Sequence, residues 1–431
     1  MRTYSIIWLG QLVSTLGSYM TEFAIKVSAW EMTEKATTLT FMRLFSLLSG
    51  IFVTLIAGSI VDRWNRKALI VLGDTISILT TVAIIWLYFS HRLQVWHFYI
   101  AEMVTGAFGE IQELAYSTAT AMMVPKQHYT RASSMSSVLH YGSVIIAPAL
   151  AGVLYPHLGL GGIALIDIAT FGFAILTILS VSIPQVESSP KPSSTYAQRF
   201  AEAFYGFRYL ILHQGLLILL GILLLFSFAN EVGGALYAPM VLARSGNNTA
   251  ILGSISAATG LGGLLGAAIL IAWKGPKHRM HGLLVAMVGV GASKAFFGWG
   301  QSLFTWIPAQ FMSSLSFPLL SSCDTALWWS KVSPQVQGRV FAAHSLIFQV
   351  SSILAVLVAG PLADRFFEPA MKPSGSLVPI CGWLFGTAPG AGMALLYFLA
   401  SVCMLLVGLG GLMLHFVRDA ETLMPDPDVP I

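Results

Sequence analysis

The sequence predicts an all-α polytopic membrane protein, with twelve transmembrane helices in two pseudo-symmetric six-helix bundles. Three observations predict it. The 431-residue chain is 56% hydrophobic and only 10% charged, where a soluble chain carries roughly 25% charged residues. Twelve segments supply the roughly 20 apolar residues that cross a bilayer. The two halves of the chain also repeat at an offset of 208 residues.

The twelve segments lie near 5–29, 40–61, 68–90, 97–122, 132–155, 161–183, 214–240, 250–272, 281–300, 303–329, 339–361 and 391–416. The first apolar run starts almost at Met1 and has no small-residue cleavage site, so it reads as a span. Of the 23 Lys and Arg residues, five fall in outer loops and three inside spans if the N-terminus is cytoplasmic; the other fifteen lie inside. That bias predicts that both termini are cytoplasmic. Gln185–Thr195 is polar and proline-rich, and Arg199–His213 reads as an amphipathic helix on the inner surface. The expected organisation is a first half at 1–184, a linker with surface helix at 185–213, a second half at 214–417 and a tail at 418–431.

The repeat rests on matching punctuation. Val124-Pro125-Lys126 precedes Arg131, and Val332-Ser333-Pro334 precedes Arg339. Each arginine is followed 21 residues later by an Ala-Gly pair's glycine, Gly152 or Gly360. The same offset sets Glu22 of span 1 against Asn230 of span 7, beside Glu231. Parallel six-helix repeats are an architecture of secondary transporters.

At this point the chain resembles the major facilitator superfamily. The loop after span 2 carries Gly58, Asp62, Arg63, Arg66 and Lys67 in the superfamily's G-x-x-x-D-R-x-x-R-K order. The resemblance implies that this loop latches the inner gate, with Asp62 accepting from a helix N-terminus, where negative charge is favoured. Span 5 carries Gly142, Ala147, Pro148 and Gly152. These resemble the antiporter motif of drug exporters, with alanine replacing two glycines; the other reading is ordinary small-residue packing. Trp273–Arg279 and Val336–Ala342 look most like bacterial exporters related to macrolide efflux and enterobactin export proteins. Many drug antiporters keep an arginine in span 4 where this chain has Glu102, so that arginine's coupling role does not carry over.

Ionisable groups within a bilayer are costly and face a bundle interior or a water-filled path. Glu102, Glu110 and Glu113 share one face of span 4 over ~16 Å. They suit either substrate and proton work or structural pairing with Lys26, Arg43 or Lys294. Glu22 and Lys26 stand four apart on the polar stripe of span 1, either as a self-neutralising pair or as a switchable one. In the superfamily, spans 1, 4, 7 and 10 supply much of the central cavity, and Glu22, Glu110, Glu113, Glu231 and Asp324 lie on those four. Asp74 reads as structural, Asp167 and Arg43 as outer-side gate contacts, and Lys294 has no evident partner in the sequence. Trp30, Trp86, Trp96 and Trp306 lie near span ends and are expected as interfacial anchors.

No phosphate-binding loop, nucleophile elbow or metal spacing occurs in the sequence. The expectation is therefore not an enzyme and no cofactor, with the proton gradient as energy source. The resemblance implies export of an amphiphilic small molecule by proton antiport, from a monomer in the bilayer with no nucleic-acid partner. Proton symport or uniport of a metabolite, or a non-transporting scaffold or sensor, stands as the alternative.

Overall fold

In a computed structural model, the structure describes residues 2–124, 129–181, 205–273, 275–333 and 336–418. Among the described residues there is no strand. The helices, named here as spans in chain order, are span 1 Arg2–Thr33, span 2 Ala36–Arg63, span 3 Arg66–Phe89 and span 4 Val95–Met123. A continuous helical stretch Tyr129–Leu179 follows and breaks at Gly159, whose φ is 61°. Its limbs are span 5 (129–158) and span 6 (160–179). Then come span 7 Gln214–Arg244, span 8 Thr249–Trp273, span 9 Arg279–Trp299, span 10 Leu303–Lys331, span 11 Gln337–Leu362 and span 12 Ala391–Met413. Several helices run a few residues beyond the apolar segments, and some of them start on side-chain caps. Asn65, for example, accepts the N–H groups of Lys67 (2.9 Å) and Ala68 (3.3 Å) to start span 3.

Seven of the described helical stretches are long and apolar enough to cross a membrane by length and composition, with spans 5 and 6 counted as one. The spans outside that set are 1, 2, 4 and 10. Spans 1, 4 and 10 carry Glu22, Glu102 and Asp324 among their polar residues.

The chain divides into two compact units. Unit 1 comprises Met1–Ser189 and Val241–Gly260; unit 2 comprises Pro190–Met240 and Leu261–Ile431. In unit 1, span 1 packs along spans 5 and 6, and span 4 packs against spans 2 and 3. Residues 241–260, the end of span 7, the start of span 8 and the turn between them, belong to this unit. Trp30 donates its indole N–H to Asn247 in that turn at 2.7 Å. Thr249 Oγ1 donates to the carbonyl of Gly152 at 2.9 Å. A Cβ on Gly152 would stand 2.6 Å from the Thr249 carbonyl oxygen, so the absent side chain is what lets span 5 and span 8 meet backbone to backbone.

In unit 2, span 9 packs between spans 10 and 12. The core centres on Leu219, Leu223, Leu283, Met287 and Leu327, with Trp328 beside them. A short helix at 205–212 lies against the start of span 11, where Tyr205 stacks on the Arg339 guanidinium at 5.3 Å. The expected amphipathic segment is thus partly described; its residues 199–204 lie outside the described residues, as do most of the linker and the tail from 419. Between spans 11 and 12 the chain forms a π turn at Ala363–Phe367 and a short helix Val378–Phe385. Glu368 accepts the N–H groups of Met393 (2.9 Å) and Gly390 (3.4 Å), capping the positive end of span 12.

Two of the four expected interfacial tryptophans are packed instead. Trp30 and Trp306 are buried, with their N–H groups satisfied by Asn247 and the Gly300 carbonyl. Trp86 and Trp96 are exposed, as anchoring requires.

Candidate functional site

The polar residues of unit 1 converge on a cavity of about 290 Å³. Span 1 contributes Ser18, Thr21 and Glu22; span 4 contributes Glu102 and Thr105. Ser46 of span 2, Ser77, Thr80 and Thr81 of span 3, and Asp167 of span 6 complete the polar wall. The periodicity of span 1 explains its part: Ser18, Thr21, Glu22 and Ile25 recur at helical spacing and line one face.

Glu22 and Lys26 form the expected salt bridge within span 1. Lys26 is also within electrostatic reach of Glu102, and Arg43 of span 2 reaches both Glu22 and Lys26. Two acids and two bases from spans 1, 2 and 4 therefore make a balanced quartet.

The span 4 acids separate. Glu102 lines the cavity, while Glu110 and Glu113 lie outside its lining and are exposed. Eight residues carry the helix about 12 Å along its axis, so Glu110 sits two turns away. Glu110 lies beside Gly50 of span 2. Glu113 reaches Tyr19 of span 1 electrostatically. Between them Gln112 turns the other way and donates to Asp74 Oδ1 at 2.6 Å, while Gln11 donates to Asp74 Oδ2 at 3.3 Å. Asp74 is thus the structural tie of spans 1, 3 and 4.

Unit 2 holds the remaining candidates. Lys294 of span 9 is buried and donates to Asn230 Oδ1 at 2.6 Å, with its ammonium 5.7 Å from the Phe317 ring. The repeat-mate of Glu22 thus engages a lysine too, but one from another helix. Glu231 is half-buried next to it. Asp324 Oδ1, Trp328 Nε1 and His344 Nε2 are buried without hydrogen-bond partners, and the Trp328 and His344 rings stand 4.6 Å apart. His344 escaped the sequence reading because only the pairing of spans 10 and 11 sets it beside Trp328.

In the loop after span 2, the side chains at 58, 62, 63 and 66 lie outside the described residues. Lys67 donates to the Val181 carbonyl at 2.6 Å, tying the start of span 3 to the end of span 6. In span 5, Ala147 is fully buried and Gly152 makes the contact with span 8, whereas Gly142 faces open space. Among the described residues no cluster of His, Cys, Asp and Glu could hold a metal ion, and all three cysteines are free.

The family model of the Major Facilitator Superfamily matches residues 7–356. The chain belongs to the Major Facilitator Superfamily. Among superfamily relatives, it is 27% identical to macrolide efflux protein A of Streptococcus pyogenes over 83% of this chain and 89% of that one. The corresponding protein of Enterococcus faecalis is also 27% identical, over 68% of this chain and 91% of its own length. Among solved structures, a bacterial homolog of the human lysosomal transporter Spinster, inward-facing and unoccupied, aligns with TM-score 0.69 over 98% of both chains at 15% identity. A variant of the nucleoside transporter NupG aligns with TM-score 0.72 over 94% of this chain and 99% of its own at 11% identity. The protein is therefore a superfamily membrane transporter with the twelve-helix fold. Members of this superfamily carry small-molecule substrates across membranes and are generally not enzymes.

Proposed function

We propose that the protein exports an amphiphilic small molecule across the bacterial cytoplasmic membrane by proton antiport, with both termini cytoplasmic. The observation that carries this reading is the charged cavity of unit 1, set in a chain similar over most of its length to macrolide efflux proteins. A half-buried Glu22–Lys26 pair within reach of Glu102 is a charge arrangement that one proton can unbalance. Glu102 takes the proton in one state and releases it when Lys26 is drawn back to it. Glu110, Glu113, Glu231 and Asp324 meet polar or cationic groups of the substrate. A second cavity suits an apolar body. It lies in unit 2, lined by Phe207, Leu225, Phe228, Ile347 and Leu354, with a volume of about 580 Å³. Drug-sized ligands occupy apolar pockets of about 300–1,000 Å³. The Gly58–Lys67 loop acts as the inner gate, and the small residues of span 5 hold the outer contact. The monomer is the working unit.

The test is uptake of a radiolabelled macrolide into proteoliposomes holding the purified protein under an imposed pH gradient. Antiport predicts accumulation when the lumen is acid, collapse with a protonophore, and loss in Glu102→Gln. Accumulation under the opposite gradient instead indicates symport. Flux indifferent to either gradient removes proton coupling altogether.

A further inference from the structure

The connection between spans 11 and 12 holds a helix that lines neither cavity. Lys372 is the last charged residue before Arg418, so the chain enters span 12 without a charge. Within that stretch Val378–Phe385, of sequence VPICGWLF, folds into two helical turns. Its Ile380 is 69% exposed and its Trp383 81% exposed, and Pro379 is exposed beside them. At 100° per residue the three share one face of the helix. That face is apolar throughout and carries nothing that water would solvate well.

The opposite face is fixed to the protein. Phe385 is buried, and its ring meets that of Phe398 in span 12 edge to face, with centroids 5.4 Å apart. The Leu384 carbonyl accepts from Gln301 Nε2 at 3.3 Å, in the turn between spans 9 and 10. These contacts also set the depth of the helix. Phe398 lies seven residues into span 12, about 10 Å along its axis. The 23 residues of span 12 extend about 34 Å, little more than the ~30 Å of a hydrocarbon core. A helix packed at Phe398 therefore lies beside the span, not beyond its end.

The surroundings indicate what covers the exposed strip. Trp299 at the end of span 9 and Phe304 at the start of span 10 are exposed at the same end of this unit. Gln301 lies between them, so its bond to Leu384 joins the short helix to an aromatic girdle. Exposed tryptophan at span ends is the pattern of a lipid headgroup boundary. The Trp383 indole N–H already donates to the Ile380 carbonyl at 2.8 Å, so its ring takes no unmet donor into lipid. A protein interface would carry a polar rim, whereas no charged residue follows Lys372 around this strip before span 12.

We propose that Val378–Phe385 is an interfacial membrane helix, with its Ile380–Trp383 strip set at the boundary between the headgroups and acyl chains of one phospholipid leaflet. The partner is the bilayer itself, and the connection between spans 11 and 12 is a lipid-bound element, not an aqueous loop. The assignment does not depend on the antiport reading.

The test is electron paramagnetic resonance of the full-length protein in phosphatidylethanolamine–phosphatidylglycerol bilayers. Ile380→Cys carries a nitroxide in a background of Cys323→Ala, Cys381→Ser and Cys403→Ser. Lys372→Cys, at an exposed charged position, is the aqueous control in the same background. Molecular oxygen concentrates among acyl chains, and a nickel chelate stays in water. The expected result is stronger relaxation by oxygen than by the chelate at 380, with the order reversed at 372. Stronger relaxation by the chelate at 380 places the strip in water and overturns the proposal. Protection from both agents places it against protein, a second copy of this chain included, and overturns it equally. Should the cysteine-substituted chain fail to fold, wild type and Trp383→Phe are compared in bilayers of acyl-brominated phosphatidylcholine. The emission of Trp383, taken as the difference between the two, is expected to be largely lost relative to unbrominated lipid. An unquenched difference overturns the proposal.

Discussion

Gly152→Ala tests whether span 5 and span 8 meet backbone to backbone. The new Cβ would lie 2.6 Å from the Thr249 carbonyl oxygen and 3.2 Å from the Gly253 Cα. Ordinary contact begins near 3.4 Å, so the two backbones must part by about 0.8 Å. Overpacking of a closed interface costs about 1–3 kcal/mol. The separation also stretches the 2.9 Å bond from Thr249 Oγ1 to the Gly152 carbonyl, worth about 1 kcal/mol. The expected loss is about 2–4 kcal/mol, which for a unit of this size lowers the melting midpoint by roughly 5–15 °C. The assay is thermal unfolding of the detergent-purified protein followed by circular dichroism. Gly142→Ala is the internal control: nothing stands within 4 Å of its Cβ position, so it leaves the midpoint unchanged or raises it slightly through helix propensity. Equal melting of Gly152→Ala and wild type, or an equal fall in both variants, would refute the packing argument.

Gln112→Leu removes the 2.6 Å donor from buried Asp74 and is expected to cost about 1–3 kcal/mol. The double variant Gln112→Leu, Asp74→Leu recovers part of that loss, and a double-mutant cycle showing no coupling would contradict the tie. Asn247 holds φ at 64° and accepts the Trp30 indole N–H. Asn247→Gly loses only the hydrogen bond, about 1 kcal/mol, whereas Asn247→Ala adds left-handed strain of about 1–2 kcal/mol. The two melting curves should therefore separate in that order.

Much of the fold was legible in the sequence because it is written helix by helix. Span number and span ends follow from hydropathy, which the bilayer imposes on each segment separately. The Glu22–Lys26 pair was legible for the same reason: both partners lie on one helix. What escaped involves several helices at once. A helical wheel sets Glu102, Glu110 and Glu113 on one face but cannot say which neighbours that face meets along its length. The neighbours divide it, with hydroxyls of spans 2 and 3 around Glu102 and Gly50 beside Glu110. Lys294 has no sequence-local partner because Asn230 lies 64 positions away on span 7. Asp167 reads as an outer gate contact from its depth alone; only the packing of span 6 on span 1 turns it into the cavity. Trp30 and Trp306 were misassigned for a related reason. Position near a span end predicts an anchor, but a partner carbonyl within reach makes a core residue.

The break at Gly159 has a mechanical meaning. Spans 5 and 6 are joined by a single residue with helical backbone on both sides, so there is no slack between them. Gly152 lies seven residues before this elbow and Asp167 eight after it. A tilt of span 5 that releases its grip on span 8 must swing span 6 as the other arm of the same lever. The carboxylate at 167 would then leave its place against Gly17. Through that elbow, the contact of span 5 with span 8 and the seat of the Asp167 carboxylate on span 1 are joined by one residue of chain.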